Sequence, residues 1–371
     1  MSPVDVVTDL YGTVFGEGEF ALATVIGVEG SSYRREGAHL IVHDDGGHSG
    51  TISGGCLEDD AADVGVRALR QARPLILRYD LDDDTVFGLG IGCPGTVDIL
   101  VEPVRWQGGH DEVLLTFCRE MAERRPVTLV RRLLREGDDV QRVDRLVVGR
   151  DLAGTLGDGL DGGAVEAARD ALADIAPASG WVEVDGEKLF LDVVVPPVNL
   201  VIFGAGDDAV PLSAMAQAMG LPVEVVDVRT ELLTKGRFPG ARLVHARGRE
   251  AFGREIPVGP RTAIVAMNHQ IERDREALAF ALPSAAFYVG LLGPRTRGEK
   301  TLEALGAEFA EAADRLMNPI GLDIGAESPA EIAVAILAEI VARREGRRGG
   351  FLKERIEPMH PAHQTTGRDL G

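Results

Sequence analysis

Leu200-Val201-Ile202-Phe203-Gly204-Ala205-Gly206-Asp207-Asp208-Ala209 runs from four apolar residues directly into a G-x-G-x-x-A pattern. A short apolar run of this kind reads as a buried strand, and the periodicity after it reads as a helix continuing to about Met219. The two glycines allow a tight turn and close backbone approach, while the small residue at the end of the pattern lets the helix pack on the strand. A second apolar run, residues 223–226, ends at Asp227, twenty-three residues after Gly204. That is close to where a dinucleotide-binding unit places its ribose-binding acid. The spacing predicts a Rossmann-like parallel sheet, with Gly204, Gly206 and Asp227 around its cleft. Asp207 and Asp208 stand where a pyrophosphate would approach, and their charge is unfavourable there. As cap and first-turn residues they suit the helix dipole instead. The motif therefore speaks for the fold more strongly than for bound NAD(P).

Downstream, strands over residues 243–245, 262–267 and 286–291 alternate with helices such as 272–281. Ligands in such sheets sit beyond the carboxyl ends of the strands. This places Asn268-His269 after one strand and Gly293-Pro294-Arg295-Thr296-Arg297 after the next. His269 reads either as a proton carrier or as a cap for the following helix. Arg295 and Arg297, near a helix start, read as an anion contact or as solvated charge. Pro319-Ile320-Gly321-Leu322-Asp323-Ile324-Gly325 is a further glycine loop, and Ser328, Pro329 and Glu331 form a capping-box signature for a helix to about Arg344. From Gly346 the chain is basic and rich in Gly and Pro, read as a mobile tail. Upstream, Pro196-Pro197 stiffens the chain and marks a boundary. The expected domains are residues 1–195, 198–345 and a tail of 346–371.

The first half reads as an α+β domain with a mixed sheet: a helix over 4–15, then strands at 20–28, 40–42, 74–79 and 97–102. The run 40–42 is expected to pair with 51–52 across the turn 44–47. Helices are expected at 111–122 and 164–173, strands at 127–133 and 145–148, and a hairpin turn at Asp185-Gly186. The charged, Gly-rich stretch 135–163 reads as a surface elaboration, and Cys118 as core. Within this half, Ser53-Gly54-Gly55-Cys56-Leu57-Glu58 turns from an extended run into a helical pattern reaching about Gln71. Free N–H groups and the dipole at such a helix start favour an anion and lower a thiol pKa. A plain tight turn around a buried Cys is the alternative. A second loop, Gly88-Leu89-Gly90-Ile91-Gly92-Cys93-Pro94-Gly95, presents another thiol. Both sulfurs are expected to line one cleft facing the second half. The loop Gly30-Ser31-Ser32-Tyr33-Arg34-Arg35 between two strands suits an oxyanion, or is a solvated hairpin end.

The chain has 371 residues, 45% of them hydrophobic, and a formal net charge of −20. Nucleic-acid binders carry a basic footprint and peripheral membrane proteins a basic amphipathic face, so neither partner is expected. Three widely spaced cysteines, without a Cys-x-x-Cys, exclude a disulfide framework and a structural zinc site as the reading. The start, Met-Ser-Pro-Val-Asp, lacks a basic region followed by an apolar one, and residues 332–342 are too short to span a bilayer. The expected location is cytoplasmic.

The chain resembles the XdhC/CoxI family of molybdoenzyme maturation factors. The likeness is carried by Gly30-Ser31-Ser32-Tyr33-Arg34, Ser53-Gly54-Gly55-Cys56-Leu57-Glu58 and Gly92-Cys93-Pro94-Gly95 ahead of Val101-Glu102-Pro103. In the second half it covers residues 203–211, Asp227-Val228-Arg229, 268–274, 288–295 and 319–326. Where many relatives carry His after the second glycine of the Rossmann loop, this chain has Asp207. The resemblance implies a molybdenum cofactor (molybdopterin) chaperone, more a maturation factor than an enzyme. It would protect the cofactor, support its sulfuration by a cysteine desulfurase and pass it to a molybdenum hydroxylase apoenzyme, acting as a homodimer. In that role Cys56 would contact molybdenum or its sulfur transiently, with Cys93 assisting. Arg34 and Arg295 would hold phosphate. Ser53, Gly54, Gly55, Glu58, Gly204, Gly206, Asp227, Asn268 and His269 would complete the cofactor surface. The rival readings are an NAD(P)-dependent oxidoreductase using Cys56 or His269, and a pterin nucleotidyl transferase with Mg²⁺ held by Asp207 and Asp208.

Overall fold

The computed structural model describes residues 19–30, 34–55, 57–80, 95–105, 112–137, 139–149, 156–157, 159–174, 177–306, 309 and 312–354. The expected helix at 4–15, residues 31–33, Cys56, the Cys93 loop up to residue 94, and the tail from 355 lie outside them. The chain divides into two compact units, one running to Pro196 and one beginning at Pro197.

In the first unit, β1 (Phe20–Gly30), β2 (His39–His43), β3 (His48–Gly50), β4 (Leu75–Asp80) and β5 (Gly95–Val104) form one sheet, in the order β3-β2-β1-β5-β4. A second sheet is built from β6 (Val127–Glu136), β7 (Asp139–Gly149), β8 (Leu156–Gly157), β9 (Gly180–Val184) and β10 (Glu187–Val194), in the order β8-β7-β6-β10-β9. Every pairing in both is antiparallel, where one mixed sheet was expected. Short turns explain three of the pairings, β2–β3, β6–β7 and β9–β10, because a two- to four-residue connection can only reverse the chain. One example is Asp185-Gly186, with φ of 52° and 80°. The partner of residues 40–42 is His48–Gly50, with Leu40 opposite Gly50, so Thr51 and Ile52 lie beyond the ladder.

β1 is buried on both faces, and its alternation sorts the layers. Ala21, Ala23 and Val25 meet α1 (Glu58–Gln71) through Ala61, Val64 and Ala68. Gly65 permits that approach, since a Cβ there would lie 2.7 Å from Val42. Phe20 and Leu22 face the other way, against α2 (Glu112–Ala122) and the second sheet; Cys118 is core here, as expected. α3 (Gly162–Ala173) covers the far side of the second sheet.

Charges sit inside this sandwich. Arg131, fully buried, donates to Glu102 at 2.7 Å, to Asp192 at 2.7 Å and to the Thr24 hydroxyl at 3.3 Å. Arg145 reaches Glu102 at 2.7 Å and His39 meets Asp192 at 2.9 Å. The network joins one sheet to the other. Burial alone would raise the pKa of Glu102, but Arg131 and Arg145 outweigh it and hold the carboxyl below its ordinary value. Within residues 135–163, β7 is therefore not surface elaboration: it pairs along the whole of β6 and turns Arg145, half-buried, toward Glu102.

The second unit is a parallel sheet of β11 (Asn199–Phe203), β12 (Val223–Asp227), β13 (Arg242–His245), β14 (Thr262–Ala266), β15 (Tyr288–Leu291) and β16 (Leu316–Met317), in the order β13-β12-β11-β14-β15-β16. The direction of winding reverses between β11 and β14, the position at which such sheets open a crevice. Leu200 and Ile202 pack on one face with α4 (Ala209–Ala218) and α8 (Pro329–Arg344). Val201 and Phe203 pack on the other with α5 (Arg249–Glu255), α6 (Ile271–Ala281) and α7 (Arg295–Leu305). The capping box at Ser328 and Glu331 is present. This is the Rossmann-like parallel sheet that the glycine motif predicts.

Candidate functional site

Two glycine corners hold most of the candidate residues, one in each unit. In the first, β3 ends at Gly50 and the chain turns through Ser53, Gly54 and Gly55 before α1 begins at Glu58. Gly54 and Gly55 have φ of 92° and 113°, conformations that only glycine adopts freely. The corner closes around the carboxylate of Glu58, which is 6% exposed. Seven donors converge on it: the N–H groups of Ile52 (3.0 Å), Ser53 (3.0 Å), Gly54 (3.2 Å), Gly55 (2.9 Å) and Leu57 (3.1 Å), and the hydroxyls of Thr51 (2.7 Å) and Ser53 (2.5 Å). The Ser53 oxygen also accepts from Leu57 N at 2.9 Å. Burial alone would raise the Glu58 pKa, but the Ser53, Thr51 and Ile52 donors outweigh it and hold it at about 2.

This corner differs from the expectation in one respect. The N–H groups of the glycine loop itself, Ile52 to Gly55, with that of Leu57 at the helix cap, are taken up by the protein's own carboxylate. The first turn of α1 also carries Glu58, Asp59 and Asp60, so the dipole there already has negative partners. Ser53, Gly54, Gly55 and Glu58 are thus brought together, with Gly54 and Gly55 facing solvent. Cys56 follows Gly55 in the chain and, like Cys93, lies outside the described residues. Arg34 is half-buried in the segment between β1 and β2.

In the second unit the corner after β11 passes close under its neighbour. A Cβ on Gly204 (φ 116°) would lie 2.6 Å from the Met267 carbonyl oxygen. Asp227, 3% exposed, turns its carboxylate toward this loop, accepting from Ala205 N at 2.7 Å. It also accepts from Arg229 N at 2.9 Å and from the Arg229 guanidinium at 3.0 and 2.7 Å, with Arg273 at 3.5 Å. Burial alone would raise its pKa, but Arg229 and the Ala205 N–H outweigh it and hold it at about 2. The acid expected to reach a ribose is therefore committed to its own loop.

His269 has φ of 59° and meets Asp208 at 3.1 Å. Its ring lies 3.6 Å from where a Cβ on Gly206 would sit, so it covers that glycine. Asp207 pairs with Arg237 at 2.9 Å. Asp207 thus serves an ion pair and Asp208 is a partner of the His269 ring; Asp208 occupies the cap position without a side-chain capping bond. Asn268 and Arg297 converge on Asp274, which is fully buried: Asn268 N and Nδ2 donate at 3.0 Å each and Arg297 Nη2 at 2.5 Å. Arg297 is thus an internal tie, while Arg295 is exposed at the start of α7. A small cleft lies beside these loops, lined by Phe203, Val226, Asp227, Phe252, Asn268 and Arg273.

The sequence reading missed Arg229, Arg237, Arg273 and Asp274. The Asp227-x-Arg229 spacing was the available signal, since a side chain two residues on can fold back onto an acid. Among the described residues, no group of three or more His, Cys, Asp or Glu side chains is placed to hold a metal ion, and no helix is long and apolar enough to cross a membrane. The Mg²⁺ reading of Asp207 and Asp208 finds no third ligand there.

Strand order, glycine corner and crevice define the second unit as a Rossmann domain, joined here to a unit of two antiparallel sheets. The chain belongs to the XdhC and CoxI family. Residues 200–340 match the model of the XdhC Rossmann domain and residues 16–80 that of the XdhC and CoxI family. It is 29% identical over 333 residues to a probable xanthine dehydrogenase subunit of Bacillus subtilis, covering 88% of this chain and 94% of that one. It is 22% identical over 326 residues to the molybdenum cofactor insertion chaperone PaoD of Escherichia coli, covering 87% and 83%. A crystal structure described as a xanthine dehydrogenase from Bacillus halodurans superposes with a TM-score of 0.74 at 30% identity, covering 94% of this chain and 97% of that one.

Proposed function

We propose that this protein matures a xanthine dehydrogenase-type molybdenum enzyme by binding the molybdenum cofactor and inserting it. The observation that carries this reading is end-to-end likeness to a protein named as a molybdenum cofactor insertion chaperone and to one named as a probable xanthine dehydrogenase subunit. The finer proposal is that it protects the molybdopterin, supports its sulfuration with a cysteine desulfurase, delivers it to the molybdenum hydroxylase apoenzyme and works as a homodimer. Cys56 would be the soft contact for molybdenum or its sulfur, with Cys93 assisting. Arg34 and Arg295 would meet the cofactor phosphate.

The rival NAD(P) reading draws on the glycine pattern and the strand order. Against it stand the commitment of Asp227 to Arg229 and Ala205, and the His269 ring over Gly206. Two measurements separate the readings. Pterin fluorescence after acid oxidation and molybdenum content are compared for co-expressed wild type, Cys56→Ala and Cys93→Ala. A calorimetric titration with NADH and NADPH is run alongside. Cofactor retained by the wild type and reduced about tenfold in Cys56→Ala supports the proposal. Undiminished retention in both mutants removes the thiols from it, and NADH or NADPH binding without pterin replaces it.

A further inference from the structure

Arginines gather at the carboxyl edge of the parallel sheet, and three of those described above are spent on carboxylates. Arg229 gives two bonds to Asp227, at 3.0 and 2.7 Å. Arg237 bonds Asp207 at 2.9 Å, and Arg297 bonds Asp274 at 2.5 Å. Arg273 differs. It meets Asp227 only at 3.5 Å, and its buried Nη1 has no hydrogen-bond partner among the described residues. Asp227 thus serves two guanidiniums with one negative charge, and the trio carries a positive charge over. A buried donor without an acceptor costs about 1–3 kcal/mol, which an incoming acceptor recovers.

The same guanidinium lines the small cleft beside these loops. The cleft lies where the winding of the sheet reverses, the place at which such sheets take ligands. Phe203, Val226 and Phe252 give it an apolar wall, each at most 4% exposed. Val228, Arg273 and Glu276 are the half-buried members of its lining, so it opens beside the guanidinium. Glu276 at that mouth is already met by Arg247, at 3.8 Å. The space is about 250 Å³. That admits one phosphate group and falls short of the about 300–1,000 Å³ of sites that enclose a whole ligand.

We propose that Arg273 anchors a phosphate monoester in this cleft, a site held within the second unit. The fork of a guanidinium donates in parallel to two oxygens of an oxyanion. A carboxylate would spend both its oxygens there. A phosphate monoester keeps a third for water at the mouth, and its ester link leads the rest of the molecule outward. The Arg273 side chain is 28% exposed, so its fork can turn toward such a group without unpacking the core. This goes beyond the function proposed above, which gives the cofactor phosphate to Arg34 and Arg295.

The test is a calorimetric titration of the full chain, in chloride buffer, with inorganic phosphate. One site with a Kd of about 1 mM or tighter is expected. Affinity should fall about tenfold in Arg273→Ala, and about threefold in Arg273→Lys, which keeps the charge without the fork. Arg254→Ala removes an equally charged but exposed group, paired with Glu250, and should bind as the wild type does. Should Arg273→Ala fail to fold, Arg273→Gln, which keeps a long polar side chain, carries the same expectation. No saturable binding to the wild type up to about 20 mM overturns the proposal. So does a folded Arg273 variant that binds phosphate undiminished, or a loss in Arg254→Ala as large as in Arg273→Ala. AMP and molybdopterin released from a molybdoenzyme then compete against phosphate: displacement by either supports the site and identifies the source of the monoester, and displacement by molybdopterin moves the cofactor phosphate from Arg295 to Arg273. A chain that binds phosphate through Arg273 and no molybdopterin loses the proposed function and keeps this site.

Discussion

Each unit turns from strand to helix through glycines, and each closes the turn on one of its own carboxylates, but the two closures differ in reach. Glu58 begins the helix that its corner leads into, and all seven of its donors lie within seven residues of it. Asp227 arrives from the adjacent strand, takes one N–H from the corner after β11 and relies for the rest on Arg229. The first corner is self-contained and answers to one side chain. The second is fastened to the sheet, where Gly204 wedged under Met267 and the Asp274 knot share the work. A corner governed by one group changes its path when that group is lost; one fastened at several points keeps it.

This contrast can be broken at either corner. Glu58→Ala leaves the N–H groups of Ile52, Ser53 and Gly55 without an acceptor, those of Gly54 and Leu57 keeping the Thr51 and Ser53 hydroxyls, and is expected to destabilise the first unit by about 3 kcal/mol. Both tryptophans, at positions 106 and 181, precede Pro196, so urea unfolding followed by their fluorescence reads that unit. Asp227→Ala is expected to remove about 2 kcal/mol from the second unit, because Arg229 and Arg273 can turn to water. Hydrogen exchange in residues 200–230 would measure it. A larger loss in Asp227→Ala than in Glu58→Ala would reverse the comparison.

Acid sharpens it. Both carboxyls are held at about 2 in the folded chain, below 4.5 for Glu58 and 3.8 for Asp227 when unfolded. A depressed folded pKa contributes stability that is complete above the unfolded value and lost as pH falls through the folded one. The first unit should therefore weaken from a higher pH, across a wider window, than the second. Melting curves between pH 5 and pH 2 test this, and Glu58→Gln should flatten the dependence of the first unit alone. The smallest expected effect is Gly206→Ala, below about 0.5 kcal/mol, since its Cβ would meet the His269 ring at an ordinary 3.6 Å. Gly204→Ala, forced against a carbonyl at 2.6 Å with φ of 116°, should cost several times more.

How far the sequence could be read follows from the same contrasts. The second unit was legible because its pattern is local and repeated: apolar runs of four or five residues, each followed by a turn and a helical period, with both strand faces apolar. The first unit was legible in its elements and misread in its layers. Arg131 and Arg145 occupy inward positions, so the alternation that marks a strand looks broken where a charge is in fact paired indoors. A short turn likewise says that a chain reverses, not which sheet it joins. At the candidate site the glycines were visible and their partner was not. Glu58 reads from sequence as a ligand contact, because nothing in residue spacing tells whether a carboxylate points outward or back into its own loop. Asp207 and Asp208 were misread for the same reason, as caps rather than partners of Arg237 and His269.

The charged seam of the first unit has a consequence for how that unit can come apart. Separate either sheet from the other and Glu102 on β5 loses both Arg131 and Arg145, while Asp192 keeps Arg131 but loses His39, so a bare carboxylate is left on the apolar face of one sheet and an unneutralised guanidinium on the other. Half a sandwich is thus not a resting place. Fragments that keep one sheet should remain unstructured, and the two layers should assemble and dissolve in a single step.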